Sequence, residues 1–114
     1  MKTGIERRRH ARAPLDVELR EKIHLGEARV RARNISEQGI SYSGSAFAPR
    51  LDGQEVILRF CLPGDPRPIE VLGAVADERC LAWTSETCVT FVWPRREDVR
   101  RIRDYVNYVT LACP

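Results

Sequence analysis

The chain has 114 residues, of which 43% are hydrophobic and 31% are charged, and its formal net charge is +3. This composition is typical of a globular protein, and the length is sufficient for one hydrophobic core but not for two. No apolar run approaches the ~20 residues that a membrane-spanning helix needs, and the first residues lack the apolar stretch of a secretory signal. We therefore expect a single cytoplasmic domain over residues 1–114.

The positive charge is concentrated at the start of the chain. Residues 1–33 contain ten Lys or Arg against five Asp or Glu, whereas residues 34–114 contain nine against eleven. Four arginines fall within six positions: Arg7, Arg8, Arg9 and Arg12. This asymmetry indicates an anionic partner near the start of the chain, although a solvated basic arm would explain the cluster if it stood alone. Because residues 1–13 have no apolar period, we expect them to form a flexible arm.

Two stretches of alternating residues follow the arm. Residues 15–20 alternate apolar with charged side chains, and residues 28–33 alternate Ala or Val with arginine. Alternation with a period of two is typical of strands that bury one face. The chain turns near Leu25–Gly26, so the two stretches are predicted to form a hairpin.

More strand patterns occur between residues 53 and 93. "GQEVILRFCL" (53–62) and "PIEVLGAVAD" (68–77) are connected through the turn residues of "PGDPR". "RCLAWTS" and "TCVTFVW" predict a second hairpin, in which Val89, Phe91 and Trp93 share one face. Six or seven short strands separated by turn signals indicate an all-β fold, an antiparallel barrel or sandwich over residues 14–93.

The last segment has the periodicity of a helix. Pro94 suits the first turn of a helix, and the acidic residues at 97 and 98 favour the positive end of the helix dipole. An apolar stripe follows at spacings of 3, 4 and 3: Val99, Ile102, Val106 and Val109. The sequence predicts one amphipathic helix over residues 94–112 that packs on the strands, since its stripe is narrow for a membrane-surface helix.

The sequence contains no pattern that indicates catalysis or a metal site. His10 and His24 have no partner placed by a recognisable catalytic motif, and there is no phosphate-binding glycine loop. The cysteines lack the spacing of zinc ligands. Each lies in an apolar stretch, so we expect core or half-buried positions for Cys61, Cys80, Cys88 and Cys113, with Cys80 and Cys88 spaced to face each other across the second hairpin. We expect a binding protein without enzymatic activity, metal or cofactor.

Two short segments carry the binding signal. The first is Arg8-x-x-x-Arg12, and the second is "NISEQG", residues 34–39. The planar fork of arginine donates two parallel hydrogen bonds to a phosphate or to a guanine edge. Asn34 and Ser36 are two positions apart, so a strand would project them from the same side. Gly39 is suited to a turn with positive φ, or to close approach of a flat ligand.

These two segments resemble the paired signature of the PilZ domain family, which are receptors for the bacterial second messenger cyclic di-GMP. The family motif is R-x-x-x-R near the start, followed by [D/N]-x-S-x-x-G at the end of a strand. "RRRHAR" and "NISEQG" match both halves in the correct order. The resemblance extends over about residues 6 to 110, with Asn34 at a position where Asp is commoner.

The resemblance implies a six-stranded antiparallel barrel with a C-terminal helix, and a ligand held between the N-terminal arm and the barrel. It also implies that the receptor changes conformation and signals to a protein effector. The residues that it implies as ligand contacts are Arg7, Arg8, Arg12, Asn34, Ser36 and Gly39, with Trp83 as a weaker candidate. Arg7 corresponds to a second arginine of members that bind two stacked cyclic di-GMP molecules, so one or two molecules are expected.

Two other functions stay compatible with the residues. A small basic barrel can bind single-stranded nucleic acid, although only Tyr42 and a few other aromatics are available to interleave with the charges. A member that has lost its ligand would serve as a protein adaptor, against which the intact motifs argue. We expect neither nucleic-acid binding nor membrane insertion.

Overall fold

The computed structural model describes residues 11–23, 26–45 and 50–112. The predictions for Arg7, Arg8 and most of the arm lie outside these ranges, as does the prediction for Cys113. Within the described residues the chain forms seven strands and one helix. Their bounds are β1 (Ala13–Pro14), β2 (Glu18–Ile23), β3 (Gly26–Ile35), β4 (Gly39–Ser45), β5 (Glu55–Phe60), β6 (Ile69–Leu81), β7 (Thr84–Phe91) and α1 (Arg96–Ala112).

The strands form a closed antiparallel barrel. Their order is β1-β3-β2-β5-β6-β7-β4, and an additional pairing of β3 with β4 closes the ring. Six strands, β2 to β7, therefore make up the barrel, and the short β1 is added along the end of β3. This arrangement confirms the predicted antiparallel barrel with a C-terminal helix. Closure also removes most of the unpaired edges that an open sheet would expose.

Inward side chains of alternating strand positions fill the barrel. Leu19, Val30 and Ala32 are buried, whereas the arginines of β3 are exposed, as the alternation predicts. Leu19 lies opposite Val30, and Ile23 lies opposite Gly26, which confirms the first hairpin. Each fully buried aliphatic side chain stabilises the fold by roughly 1.5–3 kcal/mol.

The C-terminal helix begins at Arg96, two positions after the predicted start, and its apolar stripe faces the barrel. Ile102 and Val106 are buried, and Val99 and Val109 are half-buried, which confirms the predicted stripe. Among the described residues, no helical segment combines the length and the hydropathy required to span a membrane.

The prediction that Trp93 shares the inward face of β7 is wrong. Val89 and Phe91 are buried, but the side chain of Trp93 is 92% exposed. Strand β7 ends at Phe91, and Trp93 has a φ of +49°. This left-handed conformation ends the extended backbone, so the alternation of β7 does not continue to residue 93.

The prediction of core or half-buried cysteines is wrong for Cys61 and Cys80, which are exposed, and is confirmed for Cys88, which is half-buried. Cys80 lies opposite Ser85, and Cys88 lies opposite Asp77, so the two cysteines do not face each other. The reason is the position of the turn, which is centred on residues 82 and 83 and thereby fixes a register in which they are three rungs apart.

The loop between β5 and β6 is attached to the helix through Asp65. Its carboxylate accepts hydrogen bonds from Arg67 Nε at 3.2 Å and from Arg101 Nη2 at 3.0 Å. Hydrogen bonds from the side chain and backbone of Arg67, with a smaller contribution from Arg101, lower the pKa of Asp65 to about 2. The charged carboxylate thus holds the loop and helix together.

This carboxylate gives a pH-dependent contribution to stability. Because the pKa of Asp65 is lower in the folded state than its ordinary value of 3.8, the contribution is complete above that value and is lost as the pH falls towards 2. We expect Asp65→Asn to lower the Tm at pH 5, and the difference from the parent to shrink between pH 4 and pH 2. Circular dichroism melts measure this, with the exposed Asp52→Asn as control; a difference independent of pH would contradict the assignment.

Candidate functional site

The two halves of the signature are brought together by β1. Ala13 pairs with Ile35 and Pro14 with Asn34, which places the residue before β1 beside the end of β3. Arg12 Nη1 donates a hydrogen bond to Asn34 Oδ1 at 3.2 Å. The guanidinium is exposed, so its other N–H groups are available to an anion.

The second half of the signature forms a tight turn between β3 and β4. Ser36 N–H donates to Gly39 O at 2.9 Å, and Ser36 Oγ accepts from Gln38 N–H at 3.1 Å. The serine is buried, with 5% of its surface exposed. It therefore organises the turn, in line with the usual role of Ser in such segments. It is also one of the residues that line the site.

Gly39 does not adopt the positive φ that was the first of its two expected roles, while the close approach of a ligand stays a prediction. It lies in β4, and its φ is not among the positive values of the described glycines, which are those of Gly53 and Gly64. A Cβ at this position would lie 2.2 Å from Val89 O. The prediction of a positive φ is therefore wrong, because the glycine is required by the close approach of β7.

Replacement of this glycine should disturb the barrel beside the site. We expect Gly39→Ala to lower the free energy of unfolding by about 1–3 kcal/mol, because the added methyl meets backbone that cannot rotate away. Urea denaturation measures the change. Gly26→Ala is the control, since an added Cβ there has no neighbour within 4 Å. Equal stability of the two variants would show that β4 and β7 can separate without cost.

Two β-bulges border the site. Ala32 pairs with Tyr42 and Asn34 with Ser41, so Arg33 is an extra residue in β3. Val75 pairs with Val89 and Asp77 with Cys88, so Ala76 is an extra residue in β6. Bulges redirect side chains and are common beside functional sites.

Two adjoining cavities lie on either side of Arg12. One has a volume of about 120 Å³ and is lined by the turn and by β7, including Ser36, Gln38 and Thr90. The other has a volume of about 380 Å³ and is lined by Arg33, Asn34 and Glu86 among others. Arg12 and Cys88 line both. Burial raises the pKa of the Cys88 thiol, and the charge of Arg12 partly offsets this effect.

The helix contacts the second half of the signature and β1, the strand that directly follows the first half. Tyr105 donates its hydroxyl to Pro14 O at 2.7 Å, two residues after Arg12. Arg103 Nη2 lies 3.1 Å from Glu37 Oε1, within the turn of the second half. A displacement of either segment would therefore change the contacts of α1.

The predicted site residues are only partly brought together. Arg12, Asn34, Ser36 and Gly39 surround the two cavities. Trp83 lies in the turn between β6 and β7, is 78% exposed, and lines neither cavity. It is five residues from Cys88, about 16 Å along an extended strand. The role of Trp83, like those of Arg7 and Arg8, stays a prediction.

Sequence reasoning missed the part of the site that β7 contributes. Glu86, Cys88 and Thr90 line the cavities but belong to no local motif. Arg33 had a signal, since it directly precedes "NISEQG". Among the described residues, no group of His, Cys, Asp or Glu is arranged to hold a metal ion.

A family model described as the PilZ domain matches residues 6–108 of the chain. The chain belongs to the PilZ domain family. No curated protein sequence matches it significantly.

Solved structures of PilZ proteins resemble the fold closely at low sequence identity. The inhibitor of motility MotI/DgrA of Bacillus subtilis superposes with a TM-score of 0.83 at 18% identity, covering 93% of this chain and 52% of that one. The PilZ domain of YcgR from Escherichia coli, solved with c-di-GMP, has a TM-score of 0.70 at 12% identity, covering 93% of both chains. The MrkH–c-di-GMP complex of K. pneumonia has a TM-score of 0.70 at 18% identity, covering 92% of this chain and 53% of that one. The chain thus spans about half the length of MotI and MrkH.

Proposed function

We propose that the protein is a cyclic di-GMP receptor that reports ligand binding to a protein effector. The observation that carries the proposal is the hydrogen bond of 3.2 Å between Arg12 and Asn34, which joins the two halves of the PilZ signature at one site. Structures of two proteins with this fold, YcgR and MrkH, contain c-di-GMP. The proposal extends that ligand to this chain.

The residues at the site suit a ligand with phosphates and guanines. Arg12 is exposed and presents further N–H donors to a phosphate or to the O6 and N7 atoms of guanine. Arg33 adds a second positive charge in the larger cavity, and Glu86 supplies a carboxylate that suits a guanine N–H edge. We assign further phosphate contacts to Arg7 and Arg8 from the family motif, with one or two ligand molecules bound.

The helix provides a route from the site to an effector. Because Tyr105 holds β1 and Arg103 holds the turn of the second motif, a ligand that moves either segment changes the contacts of α1. We propose that the surface altered in this way is recognised by an effector protein in the cytoplasm. No catalytic role is assigned to the site, since its groups suit recognition.

Calorimetry of the full chain with cyclic di-GMP tests the proposal. We expect saturable heat with an affinity in the micromolar range or slightly tighter, because fixing the side chains that contact the ligand subtracts from the gross binding energy. GMP at the same concentration should give none, since it offers one phosphate and one guanine. Absence of heat with cyclic di-GMP at tens of micromolar would replace the receptor with a ligand-free adaptor.

A further inference from the structure

A row of arginines crosses the outer surface of the barrel away from the signature. Arg20 of β2 lies directly opposite Arg29 of β3 on one side and Arg59 of β5 on the other. Strands β2 and β5 are on the opposite side of the ring from β7 and β4, which contribute to the nucleotide site, whereas β3 extends from Arg29 to the site itself. Like charges directly opposite each other in a sheet are destabilising. The row therefore has a cost for the free protein.

Within the described part of the molecule, an ion pair offsets this cost at Arg29 alone. Arg29 lies 3.7 Å from Glu18, but neither Arg20 nor Arg59 has a salt bridge or a side-chain hydrogen bond to any described residue. Both are exposed. Glu70 lies opposite Arg59 in the register without an ion pair between them in the described residues. The two arginines are thus poised for an anionic group from elsewhere.

These arginines line a preformed groove. Its volume is about 680 Å³, and its apolar lining includes Val17 and three prolines, Pro63, Pro66 and Pro68. The charged lining is Arg20, Arg59 and Glu18, and Glu18 is paired with Arg29. A second depression of about 410 Å³ shares Arg59 and Pro68 with the groove and is also lined by Glu70 and Arg95. Prolines restrict the backbone of the wall, so a partner would meet a surface that needs little ordering.

The loop that carries the three prolines is also attached to the helix. Asp65 lies within the loop that carries the three prolines, and its carboxylate is bound by Arg101 of the helix at 3.0 Å. The loop turns through Gly64, with a φ of +82°, and Asp65 N–H donates to Leu62 O at 3.0 Å. The groove is therefore attached to the same helix that contacts β1 and the second half of the signature.

We infer that this groove is a docking site for an acidic, partly apolar segment of a partner protein. Charge complementarity favours carboxylates opposite Arg20 and Arg59. The apolar walls favour aliphatic side chains, which a protein has and single-stranded RNA lacks. The exposed aromatic side chains of the described residues, Trp83, Trp93 and Tyr108, do not line the groove, which argues against base stacking. The chain's own first residues are basic in sequence and so do not match it. The inference is independent of nucleotide binding.

Chemical-shift mapping of the ¹⁵N-labelled protein tests the inference. The probe is an octapeptide of alternating glutamate and leucine, and a lysine–leucine octapeptide is its control. We expect the acidic peptide to shift the amides of Arg20, Arg59 and the loop around Pro66, and the basic peptide to have no effect. Arg20→Gln combined with Arg59→Gln should weaken binding at least about tenfold, because two charge-assisted contacts are lost. Arg79→Gln with Arg100→Gln removes equal charge from exposed positions outside the groove and should leave affinity unchanged.

Three results would overturn the inference. Shifts at Asn34 and Arg33 in place of the groove would mean that the peptide occupies the nucleotide site. Equal weakening by both double variants would mean attraction to net charge alone. Absence of shifts at millimolar peptide, or groove shifts caused by octauridylate or phosphatidylglycerol vesicles but not by the peptide, would exclude a protein partner. The outcome is distinguishable from the calorimetry, since a failure of either experiment leaves the other unchanged.

Discussion

Replacement of Arg50 by methionine should lower the free energy of unfolding by about 3–5 kcal/mol, the scale on which removal of one partner destabilises a buried ion pair. The side chain of Arg50 is 3% exposed, and that of Glu21 is fully buried. Arg50 Nε donates to Glu21 Oε2 at 2.8 Å, and Arg50 Nη2 makes a second contact to Glu21 Oε1. Without the guanidinium, the carboxyl group of Glu21 would lose its charged partner inside the barrel.

The surroundings of the pair do not replace the lost cation. Tyr42 donates its hydroxyl to Glu21 Oε2 at 2.6 Å, and burial together with this hydrogen bond raises the pKa of Tyr42. One neutral donor satisfies part of a carboxylate but cannot offset its charge. Arg50 also ties residue 50 to β6, because its backbone N–H donates to Glu78 Oε2 at 3.2 Å.

A double-mutant cycle separates the ion pair from simple packing. We expect Glu21→Gln with Arg50→Met to be more stable than Arg50→Met alone, since no buried charge is left without a partner. Urea denaturation followed by circular dichroism gives the four free energies. If the free energy of unfolding of Arg50→Met lay within about 1 kcal/mol of the parent value, water would have to reach Glu21. The buried cluster would then be hydrated.

The predictable part of the fold follows from periodicity. Val30 and Ala32 alternate with exposed arginines in β3, and Ile102 and Val106 recur as a helix requires. Such patterns depend only on neighbouring residues, which is why they predicted the first hairpin and the helix. The second hairpin forms, but its turn at residues 82 and 83 lies inside the predicted strand "RCLAWTS". Periodicity does not reveal the partner of Glu21. It occupies the next inward position after Leu19, yet nothing local indicates that Arg50, 29 residues later, neutralises it.

Register and chain direction were harder to predict than the elements themselves. The bulges at Arg33 and Ala76 depend on how two strands meet, and neither leaves a signal in its own strand. The turn at residue 93 likewise breaks an apparently continuous alternation. At the site, the motif residues were identifiable because they are close in sequence, whereas Cys88 and Thr90 reach it only through the pairing of β4 with β7.

Arg12→Ala should reduce the affinity for cyclic di-GMP by about ten- to 150-fold, which corresponds to about 1.5–3 kcal/mol for a hydrogen bond to a charged group. The guanidinium is exposed and has Asn34 as its described hydrogen-bond partner. Ala13 and Leu15 anchor β1 in the core without it. The Tm of the ligand-free variant should therefore equal that of the parent.

The same loss is expected for Arg8→Ala, which removes the other arginine of the motif. Arg79→Ala is the matched control, because it removes an exposed arginine near the far turn of the β6–β7 hairpin. Calorimetry and thermal melts on the same samples distinguish recognition from folding. A fall in Tm without ligand would show that the hydrogen bond between Arg12 and Asn34 stabilises the fold. An unchanged affinity with an unchanged Tm would mean that the phosphates bind away from β1. It would contradict the proposal that the two halves of the motif form one ligand site.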